Sequence, residues 1–127
     1  MSLTVLGNKV DGSLTKEQLE SFPNPSFGIL REITFETHEF CSLCPVTNQP
    51  DLYTLKITYV PEQKCVESKS LKLYLTQWRN QGIFGEAVAT TICNELYEAL
   101  EPLKVEVIAT QQVRGGLQMT TTAVRYQ

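Results

Sequence analysis

From Tyr53 to Tyr59 the chain alternates without a break. Tyr53, Leu55, Ile57 and Tyr59 are apolar, and Thr54, Lys56 and Thr58 between them are polar. A period of two sends successive side chains to opposite faces of a strand, so this segment has one dry face and one wet face. Such a strand belongs in an antiparallel sheet that is covered on one side only. The rest of the chain must therefore supply more strands in the same pattern and an apolar layer to lie on the dry face.

Both are present. Residues 29–37 alternate with Ile29, Ile33 and Phe35 on one side, and 52–60 form the second strand. The period then lengthens to that of a helix. Over 68–80, Leu71, Tyr74 or Leu75, and Trp78 share one face, and Gly82 ends the segment. Over 84–101, Phe84, Val88, Ile92, Leu96 and Leu100 recur every four residues until Pro102 stops the helix. Residues 103–110 alternate again, with Leu103, Val105, Val107 and Ala109 against Lys104 and Glu106. After Arg114-Gly115-Gly116 a last strand runs over 117–126. The order is β-β-α-α-β-β, an α+β fold with two helices on one face of an antiparallel sheet. Residues 1–28 read as an N-terminal arm, and 29–127 as one domain. Asn24-Pro25 after Phe22-Pro23 keeps the arm extended. One short helical turn is expected in 13–22, capped by Ser13 or Thr15.

A sheet of this size has two open edges, which invite pairing with another chain. Thr54, Lys56, Thr58, Thr120 and Thr122 make its other face wet, or the lining of a channel. A ring of such sheets closes the edges, with sites between subunits. Other classes are excluded by composition. A net charge of −3 and a pI near 5.2 argue against a nucleic-acid surface. No window approaches the ~20 apolar residues of a membrane span. The N-terminus lacks an export signal, which places the chain in the cytoplasm. Cys41, Cys44, Cys65 and Cys93 then read as free thiols rather than a disulfide framework.

The polar residues that the fold leaves unexplained cluster in 38–51, read as a loop, and at the start of the first helix. Cys44 precedes Pro45, where regular structure stops, and cysteine is the most nucleophilic side chain near neutral pH. Nothing local supplies a base, and on spacing alone a small buried thiol is the readier account. Cys41 and Cys44 form a C-x-x-C pair, but no second pair completes a zinc site, so no metal is expected. Asp51, just after Pro50, is either a proton donor or a turn aspartate. Glu67, Ser68, Lys69, Ser70 and Lys72 crowd a helix start. Ser68 suits the cap position, free N–H groups there attract anions, and Lys69 and Lys72 share a face able to hold a phosphate. A solvated helix start is the plainer account. Glu86 can grip a guanine-like N–H edge with two hydrogen bonds, or simply stabilise its helix dipole. Arg114-Gly115-Gly116 is an anion-binding turn or a hairpin.

Taken together, Leu43-Cys44-Pro45, Gln49-Pro50-Asp51, Glu67-Ser68-Lys69-Ser70-Leu71-Lys72-Leu73-Tyr74, Arg79-Asn80, Phe84, Glu86 and Arg114-Gly115-Gly116 resemble the NADPH-dependent 7-cyano-7-deazaguanine reductases of the unimodular type. The resemblance implies the tunnelling (T) fold, whose subunits join into rings, here a pentameric ring or a stacked pair. It implies that Cys44 attacks the nitrile carbon to give a thioimidate and that Asp51 donates the proton. Reduction at the expense of NADPH then gives the 7-aminomethyl product, a precursor of the tRNA base queuosine. By the same resemblance Glu86 anchors the base in a pocket completed by Val66, Glu67, Ser68 and Gly85. Ser68, Lys69, Lys72, Arg114 and Gly115 hold NADPH. One departure stands out: Gly85 occupies the place where the family carries a histidine. An amidinotransferase relative would use the same thioimidate without NADPH, but the E-S-K-S-L-K string argues against it. A base-binding ring made inactive by Gly85 is the other alternative.

Overall fold

The structure is a computed structural model that describes residues 19–127. Two sheets and two helices make it up. Strands β1 (Ser21–Pro23) and β4 (Lys64–Val66) form a small antiparallel pair. Strands β2 (Ile33–Leu43), β3 (Pro50–Val60), β5 (Lys104–Gln111) and β6 (Thr120–Tyr126) form the main antiparallel sheet in the order β2-β3-β5-β6. Helix α1 (Ser68–Gln77) runs into a single 3-10 turn at Trp78–Asn80, and α2 spans Gly85–Leu100.

The dry face is the one expected from the alternation. Tyr53, Leu55, Ile57, Tyr59, Val105, Val107 and Ala109 are buried against Leu71, Tyr74, Trp78, Val88, Ile92, Leu96 and Leu100 of the helices. On the opposite face Lys56, Thr120 and Thr122 stay in water, and Thr34 and Thr58 pair through their hydroxyls at 3.2 Å. Phe84 and Leu103, counted in the apolar stripes, are instead exposed. Phe84 is only the N-terminal boundary residue of α2, and Leu103 precedes β5.

Several boundaries move. β2 does not stop at residue 37. A register shift between Thr37 and Phe40 lets it continue to Leu43, and β3 begins at Pro50. The expected loop 38–51 shrinks to the hairpin tip 44–49. Ile29, expected on the first strand, lies in a turn and is exposed. The extended arm contributes β1, because Ser21–Pro23 finds open backbone on 64–66. The helical turn expected in 13–22 begins outside the described residues, and its last two residues lie in β1.

The start of α1 also differs from expectation. Glu67, not Ser68, caps it. Its carboxylate accepts from the backbone N–H of Ser70 at 2.7 Å and of Lys69 at 3.1 Å. A longer side chain reaches both free N–H groups at once, which a serine hydroxyl cannot do. Those two hydrogen bonds hold the half-buried Glu67 carboxyl below its ordinary pKa.

Candidate active site

Period two decides what surrounds Cys44. Asp51 stands in the same phase as Tyr53, Leu55, Ile57 and Tyr59, so its carboxylate points to the helix-covered face and is only 4% exposed. Cross-strand partners share a face. Ser42 pairs with Asp51, Phe40 with Tyr53, and Tyr53 with Gln111, so Ser42, Asp51, Tyr53 and Gln111 make the floor of one end of the sheet. Ser42 is fully buried there.

Cys44 sits at the lip of this floor. Its N–H donates to the Gln49 carbonyl at 2.9 Å, and its own carbonyl accepts from Asn48 at 2.8 Å. Asn48 takes the left-handed conformation that closes the tip. The half-buried thiol is pulled below its usual pKa, first by the Thr47 side chain and then by the N–H groups of Thr47 and Val46. Asp51 opposes this from nearby. No neighbouring base is needed: hydrogen bonds from residues two and three places on favour the thiolate.

The segment between the helices brings α2 to the same place. Leu43 donates to Gln81 at 2.9 Å and accepts from Ile83 at 3.0 Å, so residues 81–83 run beside the end of β2. This lays the α2 N-terminus, with Gly85 and Glu86, over the floor. The Tyr53 hydroxyl feels Asp51, Arg114 and Glu86 together. Arg114 arrives from the β5–β6 connection, residues 112–119, whose tip is a two-residue turn. Gly115 and Gly116 both have positive φ there, and Arg114 and Leu117 exchange hydrogen bonds at 2.8 and 3.0 Å. The turn is thus a hairpin, and it delivers the half-exposed Arg114 guanidinium to Asp51 as an ion pair.

The other expected site residues lie elsewhere. The Val66 N–H donates to the Tyr59 hydroxyl at 3.0 Å, at the far end of β3. Tyr59 is eight residues from Asp51 along that strand, about 26 Å at ~3.3 Å per residue. Cys44, Asp51, Gly85, Glu86, Arg114 and Gly115 therefore gather at one end of the subunit, and Val66, Glu67 and Ser68 at the other. Ser68 and Lys72 line a groove of about 550 Å³ between α1 and β2, with His38, Thr76 and Arg79 on its walls. Lys69 is exposed and stands outside those walls. Among the described residues no group of three or more His, Cys, Asp or Glu is placed to hold a metal.

Three floor residues were missed from the sequence: Ser42, Tyr53 and Gln111. The signal was present for Tyr53, since it shares the phase of Asp51. Ser42 and Gln111 become visible only through the strand register.

A four-stranded antiparallel sheet with two helices on one face and a polar opposite face is the T-fold subunit. The archaeosine synthase QueF-Like, in its apo crystal structure, superposes with a TM-score of 0.69 over 80% of this chain and 94% of that one, at 20% identity. That match speaks for the fold alone. The family model described as QueF-like protein matches residues 50–127. The NADPH-dependent 7-cyano-7-deazaguanine reductase of Anaeromyxobacter sp. (strain K) is 50% identical over 105 residues, 83% of this chain and 86% of the relative. The reductases of the same name from Thermomicrobium roseum and Helicobacter acinonychis are 48% identical over 111 residues and 45% over 119. These cover 87% and 92% of this chain, and 86% and 80% of the relatives. The chain belongs to the NADPH-dependent 7-cyano-7-deazaguanine reductase family.

Proposed function

We propose that this chain reduces the nitrile of 7-cyano-7-deazaguanine to the 7-aminomethyl compound at the expense of NADPH. The observation that carries the reading is the meeting of a thiol of lowered pKa, a buried carboxylate and a helix-borne carboxylate at one end of one sheet. Cys44 adds to the nitrile carbon. Its thiol proton passes to the Asp51 carboxylate and on to the nitrile nitrogen, while the sulfur forms the new C–S bond and the nitrile π pair becomes the N–H bond, leaving a thioimidate. Glu86 holds the N–H edge of the base with two hydrogen bonds. Arg114 keeps the Asp51 carboxyl in place until substrate arrives.

The chemistry of the groove fits a dinucleotide. Ser68, Lys72 and Arg79 present a hydroxyl and two cations that suit phosphate groups, while Glu36 and Glu39 on the facing strand suit the hydroxyls and amide of the rest of the molecule. NADPH, two molecules per turnover, supplies the two hydrides that take the thioimidate to the amine and release Cys44.

The roughly 26 Å between the two groups of residues supports a site built by two subunits, with one chain's residues 66–72 facing another's Cys44. The open backbone of β2 and β6 at the edges of the main sheet supports closure into a ring. Among the described residues no helix is long and apolar enough to cross a membrane. The test is to mix protein, nitrile and NADPH. Loss of NADPH absorbance that needs the nitrile supports a reductase, with Cys44→Ala forming no covalent adduct. An adduct without NADPH oxidation would mean a transferase, and a nitrile bound without an adduct would mean an inactive ring.

A further inference from the structure

The Tyr53 hydroxyl has no structural task. The residue is only 2% exposed, yet its oxygen has no hydrogen-bond partner. Ser42 Oγ lies near enough to act on the phenol, but it too closes no hydrogen bond of normal geometry. Two buried, unpaired hydroxyls side by side forfeit hydrogen bonds that water would give them in the unfolded chain. Such a deficit at the floor of a candidate active site points to a partner that arrives with the ligand.

This hydroxyl lies under Gly85, and the movable methyl of Met119 fills the place that a side chain there would take. A Cβ there would lie 3.2 Å from the Tyr53 oxygen, 3.6 Å from Gln111 Nε2 and 2.5 Å from the Met119 methyl. The absent side chain leaves the tyrosine oxygen facing the foot of α2, one residue from Glu86. The ring is fixed from behind by an edge-on contact with Phe40 at 5.6 Å between centroids. Burial pushes the phenol's pKa up, and Asp51 and Glu86 add to this against the smaller pull of Ser42 and Arg114. The hydroxyl is therefore neutral, and a donor, throughout the neutral range.

A guanine-like edge offers two donors, the ring N–H and the amine, beside one carbonyl acceptor. Glu86 can satisfy the donors only. We propose that the Tyr53 hydroxyl is the substrate-contacting donor that completes this edge, hydrogen-bonding the carbonyl of the deazaguanine ring next to Glu86. This rests on the nitrile reductase reading and adds the residue that recognises the third group of the edge.

The test uses the full-length protein and two nitriles, the natural one and its 6-thio analogue. The analogue keeps both N–H donors but replaces the carbonyl oxygen with a poor acceptor. Covalent adduct formation on Cys44 is followed by mass spectrometry. The wild type should favour the oxygen compound by about fivefold to tenfold, the worth of one neutral hydrogen bond. Tyr53→Phe, which keeps the ring and its packing on Phe40, should lower the rate with the natural nitrile by the same factor and abolish the preference. NADPH affinity should not change. A Tyr53→Phe protein that keeps the preference overturns the proposal and leaves the reductase reading intact, with Gln111 the next donor. A wild type that shows no preference overturns it without any variant. A wild type that forms no adduct with either nitrile removes both.

Discussion

Tyr59→Phe tests the joint between the core and the proposed base pocket. The Tyr59 ring is 1% exposed, and its hydroxyl accepts the Val66 N–H at 3.0 Å just before Glu67 and Ser68. Removing that oxygen leaves a buried backbone donor unpaired, which costs about 1–3 kcal/mol. The pH dependence separates this cause from loss of packing. Burial of the phenol is the largest cause of its pKa rise, to about 12 from 10.0. Its neutral form is favoured in the folded state, so the associated stability is fully present below pH 10 and lost as pH rises towards 12. Two units at ~1.36 kcal/mol each make about 3 kcal/mol. Other tyrosines with raised pKa are common to both proteins and cancel. The wild-type advantage should therefore hold from pH 8 to near 10 and fall by about 1 kcal/mol by pH 11. Urea midpoints at constant m-value measure it, and faster exchange of the Val66 amide should accompany the substitution. An advantage that stays constant from pH 8 to 11 would refute the reasoning, since the phenol could not then be the buried group.

Iodoacetamide at neutral pH should label Cys44 before the other thiols. Hydrogen bonds lower its pKa, whereas burial raises those of Cys65 and Cys93; early labelling of Cys65, read by peptide mapping, would contradict this. Gly85→His should slow adduct formation at least tenfold, because its Cβ meets Met119 and the Tyr53 oxygen. Adding Met119→Ala removes the nearest clashing atom and should restore part of the rate, a coupling of about 1–3 kcal/mol; purely additive losses would rule out the shared space. Glu86→Ala should weaken nitrile binding far more than NADPH binding, and equal losses by calorimetry would remove its anchoring role. Leu96→Ala, at a site 1% exposed, should cost about 2–5 kcal/mol. Leu103→Ala, at a site 44% exposed, should change the urea midpoint little.

The two periods in the sequence determined the two helices, the four main strands and the dry face. These are local properties: a period of two or of 3.6 can be read without knowing any partner. The E-S-K-S-L-K string and the Cys44–Asp51 spacing likewise determined the family, because the family's chemistry is carried by short runs of residues. The extent of β2 was not legible, since the irregularity near His38 and Glu39 interrupts its pattern and only pairing with β3 carries it on to Leu43. Glu67 as the cap was hidden for a similar reason, as serine is the commoner choice and the reach of a glutamate shows only in coordinates. Tertiary structure alone decided that Arg114 pairs with Asp51, 63 residues away, and that Tyr53 lies under Gly85. Contacts between distant residues depend on strand register and on how a helix end docks. Neither leaves a periodic trace along the chain, so the placing of these groups waits for the folded sheet.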